Sequence, residues 1–493
     1  MLKVLHYGTS SPFHLPISTN ILEDDQERRS FSFFCRHTFP QLSGPFDSSD
    51  FWQRLLQATH REPAIRHAAV ALGALHERFE ILPHTNLNFT LSKGEDDDVF
   101  AMQQYAKAIK ALLGFNGGQE KAANVALVTC VLFVYFETLR GHHATAISHI
   151  NGGIKILSAF HQSASSSSPY PSTISQSNTP YVSTPTLTLI FAHFDSQASA
   201  LLAGRERALQ DPSSDNPLPG YAPEIPEEFQ SLGEAMNSLD YIRTESFRSM
   251  ATVDRSDWVA IRVMLACMQS TATIRLNLWG QAFHSFVGTQ ERKLGGGLNG
   301  EGKEEKEWRD AVNVLRVHKI FMGFYFCVDL ERALRDEGLW DEHTEDFEEI
   351  VRLSEDIIGP HEGSAEHGGG VKRLLCHDTG NVTGIVLPLN FVATKCRVRS
   401  IRWKAIELMR RTERQEGLWN SVLTALAAEQ LVRLEEEWLV EEKVPRERRI
   451  RCAEVGFDLQ ERRARLRYGR LEVGVFAHPP PREMEWIEGS ICW

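Results

Sequence analysis

The sequence lacks closely spaced cysteines. Its eight, Cys35, Cys130, Cys267, Cys327, Cys376, Cys396, Cys452 and Cys492, are never closer than 20 residues apart. Structural zinc takes its ligands in close pairs, because a short spacer lets both thiolates reach one ion. A cysteine zinc site within these residues is therefore excluded, and no metal or other cofactor is expected. Isolated cysteines of this kind read as buried apolar side chains. A basic surplus is also missing: 65 acidic residues face 53 basic ones, a formal net charge of -12 over 493 residues. Phosphate neutralisation supplies most of the affinity of a nucleic-acid binder, so non-specific DNA binding by the whole surface is not expected. Long apolar runs are absent as well. The most apolar stretch, Val125 to Phe136, is broken by Thr129 and falls short of the roughly eighteen residues that span a bilayer. At the N-terminus Lys3 is followed by polar His6, Thr9 and Ser10 rather than by an apolar segment, so no signal peptide is read and an intracellular protein is expected.

Catalytic signatures are equally scarce. There is no Gly-x-Ser-x-Gly elbow and no phosphate-binding Gly-Lys-Ser/Thr loop. Gly295 to Gly300 spells Gly-x-Gly-x-x-Gly, but it sits in a polar insertion with no strand before it, which makes it a flexible loop. The acidic run Glu95 to Asp98 has the composition of a magnesium–diphosphate motif without a facing partner motif, and acids at a helix start favour the dipole. Glu137, His142, His143 and His149 are metal-ligand types on one segment, yet no His-Glu-x-x-His occurs, and capping or packing explains them better. His67 and His76 lie on an apolar helix as core or boundary residues. An enzyme is not expected.

Hydrophobic residues make up 42% and charged residues 24%, the balance of a folded globular protein. Helical spacing dominates. Ile65, Ala68, Ala69, Leu72, Leu75, His76 and Phe79 form one face after Pro63, which suits a first helical turn. A second pattern runs over 100–113, with Tyr105, Ala108, Ile109 and Leu112 on one face. A third, 122–139, is apolar almost all round and belongs in the core. A fourth, after Gly141, carries Gly152 and Gly153, each less favourable in a helix than Ala by roughly 1 kcal/mol, a loss that close helix contact would offset. A further helix is expected at 186–207, and later ones over 236–250, 256–283, 305–335, 343–357, 381–413 and 417–440. Over 453–475 the period changes to two, which predicts a small β-hairpin.

The expected architecture is all-α: a large multi-helix domain with long surface loops and a small C-terminal β-hairpin. Residues 1–30 read as an irregular lead-in and 31–440 as the helical domain. A Ser/Thr/Pro-rich linker at 161–186 and loop insertions at 284–305 and 358–371 interrupt that domain, and 441–493 form a basic C-terminal segment. Its arginines, Arg446, Arg448, Arg449, Arg451, Arg462, Arg463, Arg465, Arg467 and Arg470, have the composition of a nuclear-import or nucleic-acid patch. The interspersed Glu441, Glu442, Glu447, Glu454 and Glu461 favour a salt-bridged face instead.

Several short blocks occur in a recognisable order. They are Phe51-Trp52, Pro63 to Ala68, Ala71 to Glu77, Tyr105 to Ile109, Phe136 to Gly141 with Ala146, His149 and Gly153, and Phe194 to Ala198. Later come Gly384 to Leu389, Lys395-Cys396-Arg397, Ile401 to Ile406, Glu416 to Trp419 and Glu435 to Trp438. Across roughly residues 30 to 470 this order resembles the regulatory region of fungal zinc-cluster (C6) transcription factors, especially those near secondary-metabolite gene clusters. The resemblance implies a nuclear transcription regulator, working through protein partners and open to a small-molecule effector, and a helical fold in which Trp52 and Trp419 are core anchors. The family's DNA reader is a six-cysteine module that places a helix in the major groove. Only Cys35 lies in the first hundred residues here, so the resemblance covers the regulatory region without that module, and direct DNA binding is not expected of it. The alternative reading is a helical small-molecule-sensing or protein-interaction module outside transcription. The residues single out no catalytic, metal, DNA-binding or ligand-binding side chain.

Overall fold

Apolar residues on one or more faces draw the first eight helices around one core: α1 (Asp25–Phe33), α2 (Phe39–Ser43), α3 (Phe51–Arg61), α4 (Pro63–Ile81), α5 (Glu95–Leu113), α6 (Gln119–Leu139), α7 (His143–Ser166) and α8 (Thr184–Leu201). The structure, a computed structural model, describes residues 24–43, 51–81, 95–166, 181–201, 224–251, 258–293, 303–326, 336–359, 374–376, 384–439, 444–445, 448–458, 463–471 and 484–492. Asp24 starts α1, its carboxylate accepting the Glu27 N–H at 2.7 Å. The chain is thus helical from Asp25, inside the segment expected to be irregular, and the rest of that lead-in, 1–23, lies outside the described residues. A π-helical turn, Phe34–Thr38, joins α1 to α2.

α4 is the centre of this half, packed against α1, α3, α5 and α6. α6 is buried on nearly every side, from Val125 to Leu139, as its all-round apolar pattern predicts. At 21 residues it is longer than the apolar run alone suggested, and by length and composition it could cross a bilayer. However, 78% of its most apolar window is covered by the rest of the protein, as befits a core helix. It ends where Gly141 takes φ 72° and the His142 and Gly141 N–H groups bond back to the carbonyls of Glu137 and Thr138, satisfying the last turn. α7 extends to Ser166 and α8 starts at Thr184, so helix enters both ends of the expected linker, and 167–180 lie outside the described residues.

The second half comprises α9 (Leu232–Ala251), α10 (Trp258–Lys293), α11 (Lys303–Phe326), a 3-10 turn (Glu337–His343), α12 (Thr344–Ile358), α13 (Val386–Lys395), α14 (Arg399–Thr412) and α15 (Ser421–Glu436) around a second core. The loop expected at 284–305 is helical at both ends, because Phe286 and Val287 continue the buried face of α10 to Lys293 and α11 opens at Lys303. The insertion expected at 358–371 begins at Gly359, where φ is 85°, and 360–373 lie outside the described residues. The single helix expected over 381–413 breaks at Cys396, whose backbone turns extended. That break carries Arg397 inward, between Glu337 and Glu435.

Two small sheets complete the fold. One was not foreseen: β1 (Leu374–Cys376) runs parallel to β2 (Arg414–Glu416), which pairs antiparallel with β3 (Trp419–Asn420). The C-terminal hairpin is present, β4 (Ile450–Asp458) against β5 (Arg463–Leu471), and a third antiparallel strand, β6 (Met484–Cys492), extends it. Ala464, Leu466 and Tyr468 point inward, forming a third small core with Leu431 and Ile450.

Candidate functional site

Of the residues that drew attention as possible ligands, those of α4, α6 and α7 make hydrogen bonds within the first core. Glu137 is buried, and its carboxylate accepts from Arg140 at 3.3 Å and faces His142 Nδ1 at 3.2 Å. Burial opposes its charge, but the His142 hydrogen bond and Arg140 outweigh this and hold its carboxyl below the usual range. His149 turns away to the Tyr105 hydroxyl at 2.8 Å. Burial, with the Glu137 charge, pushes the Tyr105 phenol up. His76 is fully buried against Thr38 Oγ1 at 2.9 Å, and His67 meets Gln104 at 2.7 Å. Among the described residues no three His, Cys, Asp or Glu side chains group as metal ligands. Glu95–Asp98 form the first turn of α5, where their side chains lie outside the described residues, as does the 295–300 loop. Cys35 and Cys130 are raised by burial to about 11 and so stay protonated thiols.

The C-terminal arginines divide. Arg463 and Arg465 lie exposed on the outer face of β5, and Arg448 stacks 3.9 Å from the centre of the Trp438 ring. Arg449 and Arg451 turn inward. Arg449 forks onto Asp341 at 3.0 and 2.8 Å and donates to the carbonyls of Glu337 and Val444.

This inward turn belongs to a cluster that joins α13, α14, α15, the 3-10 turn and β4. Lys395 donates to both oxygens of buried Glu337 at 3.0 and 3.1 Å and to the Arg451 carbonyl at 2.7 Å. Arg397, placed by the break after α13, lies between Glu337 at 3.4 Å and Glu435 at 3.3 Å. Arg402 donates Nη2 to Glu435 at 2.7 Å and Nε to the Ala393 carbonyl at 3.1 Å. The other Glu435 oxygen accepts the Ile450 N–H at 2.7 Å, which fixes the start of β4. Burial holds Lys395 and Arg397 below their usual range against the opposing pull of these carboxylates. Removing one partner from such a network strands a buried charge. Beside it lies a cavity of about 130 Å³, walled by Lys395, Arg402, Trp419, Leu431, Ile450 and Val455 among others.

The cluster draws on blocks that the sequence placed far apart: Lys395-Cys396-Arg397, Arg402 within Ile401 to Ile406, and Glu435. The roles of Glu337, Arg449 and Arg451 were missed. A signal was present for two of the others. Arg402 stands in register with Ala405, Ile406 and Met409, and Glu435 with Ala428, Leu431 and Val432, so each is a charge on an otherwise buried helix face.

A second junction ties the two halves together. Between β2 and β3, Gly417 takes φ 52°, and the Leu418 N–H reaches Gln197 Oε1 on α8 at 2.8 Å. Leu418 itself packs into the first core, while Trp419 packs into the second. Here the Phe194 to Ala198 and Glu416 to Trp419 blocks meet. Next to them Glu416 caps α13, accepting from the N–H groups of Ile385 and Val386 at 3.1 and 2.9 Å. Burial raises its carboxyl despite Arg414.

Residues 29–269, from α1 into α10, match the fungal specific transcription factor domain. The aspercryptin biosynthesis cluster-specific transcription regulator of Emericella nidulans is 24% identical over 497 aligned positions, covering 85% of this chain and 75% of that protein. The transcription regulator lscL of Purpureocillium lilacinum is 26% identical over 106 residues, 21% of this chain and 25% of that protein. No solved structure matches. The match covers the helices of the first core, though not Leu418, and runs through α9 into α10 of the second. The ionic cluster and its cavity lie beyond it.

Proposed function

We propose that this protein is a nuclear transcription regulator of a secondary-metabolite gene cluster, acting through contacts of its helical regulatory domain rather than through catalysis. The observation that carries this is the domain match over 29–269 together with a relative, named as a cluster-specific regulator, aligned along most of the chain. The engagement of Glu137, His142, His149, His67 and His76 in hydrogen bonds or ion pairs with one another and with neighbouring side chains supports a scaffold reading of that half. The test is deletion of the gene, with transcripts measured across the neighbouring biosynthetic genes. Coordinate loss or rise of one cluster supports the proposal. Unchanged transcripts under producing conditions, or exclusion of the tagged protein from nuclei, sink it.

Partner-mediated action predicts that residues 1–493 alone bind DNA only weakly. With a formal charge of -12, any binding should be non-specific and lost as salt rises. Tight, sequence-specific shifts by the purified chain would refute that part. The reading as a small-molecule or protein-interaction module outside transcription draws its support from the cavity by the ionic cluster. It predicts cytoplasmic protein and no transcript change on deletion.

A further inference from the structure

The cavity beside Arg402 is built with hydrogen-bond donors and too few acceptors. Arg402 is 1% exposed, and its guanidinium carries five N–H donors. Nε is taken by the Ala393 carbonyl and Nη2 by Glu435, which leaves Nη1 without an acceptor among the described residues. Trp419, 7% exposed, lines the same cavity, and its Nε1–H likewise has no acceptor. The Thr424 and Thr394 hydroxyls, also in the wall, already donate to the carbonyls of Asn420 and Asn390, so their oxygens add lone pairs but no donor. Glu435, the only carboxylate of the wall among the described residues, is engaged on both oxygens by Arg402, Arg397 and the Ile450 N–H. Stranded donors at a buried guanidinium are expensive, and a ligand oxygen satisfies them.

The wall also holds Asn390, Lys395 and Arg451, and its apolar side is made of Ala427, Leu431, Ile450, Ala453 and Val455. Its volume, about 130 Å³, is close to that of an engineered cavity of roughly 150 Å³ that holds benzene. We propose that this cavity binds a small monocarboxylate with a short branched or ring-like apolar tail, its carboxylate on Arg402 Nη1 and the Trp419 indole N–H, its tail against Leu431, Ile450 and Val455. Charge, donor excess and size each narrow the class. A phosphate brings no tail for the apolar wall, and an amine would meet the guanidinium. The site lies at the junction of α13, α15 and β4, outside the matched domain, and the inference stands apart from the transcriptional reading.

The test is calorimetry and protein-observed NMR on the whole purified chain, with isovalerate as the probe and isovaleramide, isopentanol and inorganic phosphate as comparisons. Isovalerate should bind, the amide and alcohol at least tenfold more weakly, and phosphate not at all. Ala427→Leu fills the cavity without removing a polar group and should abolish binding while the thermal transition stays intact. Trp419→Phe keeps the ring, removes the donor, and should weaken binding about three- to tenfold. Equal binding of acid, amide and alcohol, undiminished binding to Ala427→Leu, no binding of isovalerate at millimolar concentration, or a crystal structure grown with isovalerate in which water alone fills the cavity would each overturn the assignment. A reporter assay of the gene cluster tests the transcriptional reading separately, because that reading does not depend on isovalerate binding.

Discussion

Two adjacent glycines in α7 give the sharpest test of the packing. An ideal Cβ built on Gly152 meets no atom within 4 Å, whereas one on Gly153 would lie 2.1 Å from Cε1 and 2.3 Å from Cζ of Phe191 on α8. Either substitution by Ala gains helix propensity, about 1 kcal/mol. At residue 153 that gain meets a collision. Carbon atoms pack at roughly 3.5–4 Å, so the ring must retreat by more than about 1 Å. Phe191 is fully buried with its ring edge against Phe194, so it has no open side to move toward. Overpacking of this kind costs about 1–3 kcal/mol. Gly152→Ala is thus expected to stabilise by up to about 1 kcal/mol and Gly153→Ala to be neutral or destabilising by up to about 2 kcal/mol, with the gap between them equal to the collision alone. Urea unfolding of both proteins, at unchanged denaturant slope, measures that gap. If Gly153→Ala stabilises as much as Gly152→Ala, the two helices do not touch at this point and the account of the first core is wrong.

Three further predictions concern the second half. Glu435→Ala strands Arg402 and Arg397 and frees the Ile450 N–H, and should destabilise by about 3–5 kcal/mol, read by thermal or urea unfolding; a loss below 1 kcal/mol would show that the cluster is solvated. His318 is buried against the Gly384 carbonyl at 2.5 Å, and burial lowers its pKa to about 4. Its neutral form is the folded one, so its contribution is complete above the ordinary value of 6.5 and is lost as pH falls toward 4, by about 3 kcal/mol in all; His318→Phe should flatten the stability–pH curve in that window, and an unchanged slope would refute the assignment. Gly417→Ala forces a side chain into a left-handed turn and its Cβ to 2.2 Å from Gln197 Oε1, so the two cores should uncouple and a single unfolding transition should split in two, checked by calorimetry.

How much of this was legible in the sequence differs between the halves. Face patterns such as Ile65 to Phe79 carry their own answer, because a three-and-four spacing of apolar residues leaves a helix only one side to bury. The all-round apolar α6 was readable for the same reason, and so was the hairpin, whose alternation of Ala464, Leu466 and Tyr468 survives in β5. The break at Cys396 was not readable. Local propensity favours continuing the helix there, and what ends it is the reach of Arg397 to Glu337, 60 residues away in sequence. The small sheet of β1, β2 and β3 is hidden likewise, since strands of two or three residues are too short to show a period. The cavity needed Trp419, Arg402 and Val455 to be brought together, and no spacing records that.

The two cores are closed by different means, and this bears on where regulation can act. The first is sealed by aromatic and aliphatic contact, with Trp52, Tyr135 and Phe194 in one chain of rings, and a perturbation there spreads as a packing defect. The second is closed on one side by charges that hold β4, α15 and the 3-10 turn in register through Glu435 and Glu337. Such ion pairs add little net stability, because desolvation consumes most of their attraction, yet they are intolerant of a missing or misplaced partner. An anion entering beside Arg402 shares that guanidinium with Glu435. It therefore touches the group that sets the start of β4, whereas in the first core the buried carboxylates Glu27 and Glu137 are already paired with Lys107 and Arg140. A ligand carboxylate on Arg402 would thus be felt at the start of β4 and on α15, which the same guanidinium joins through Glu435.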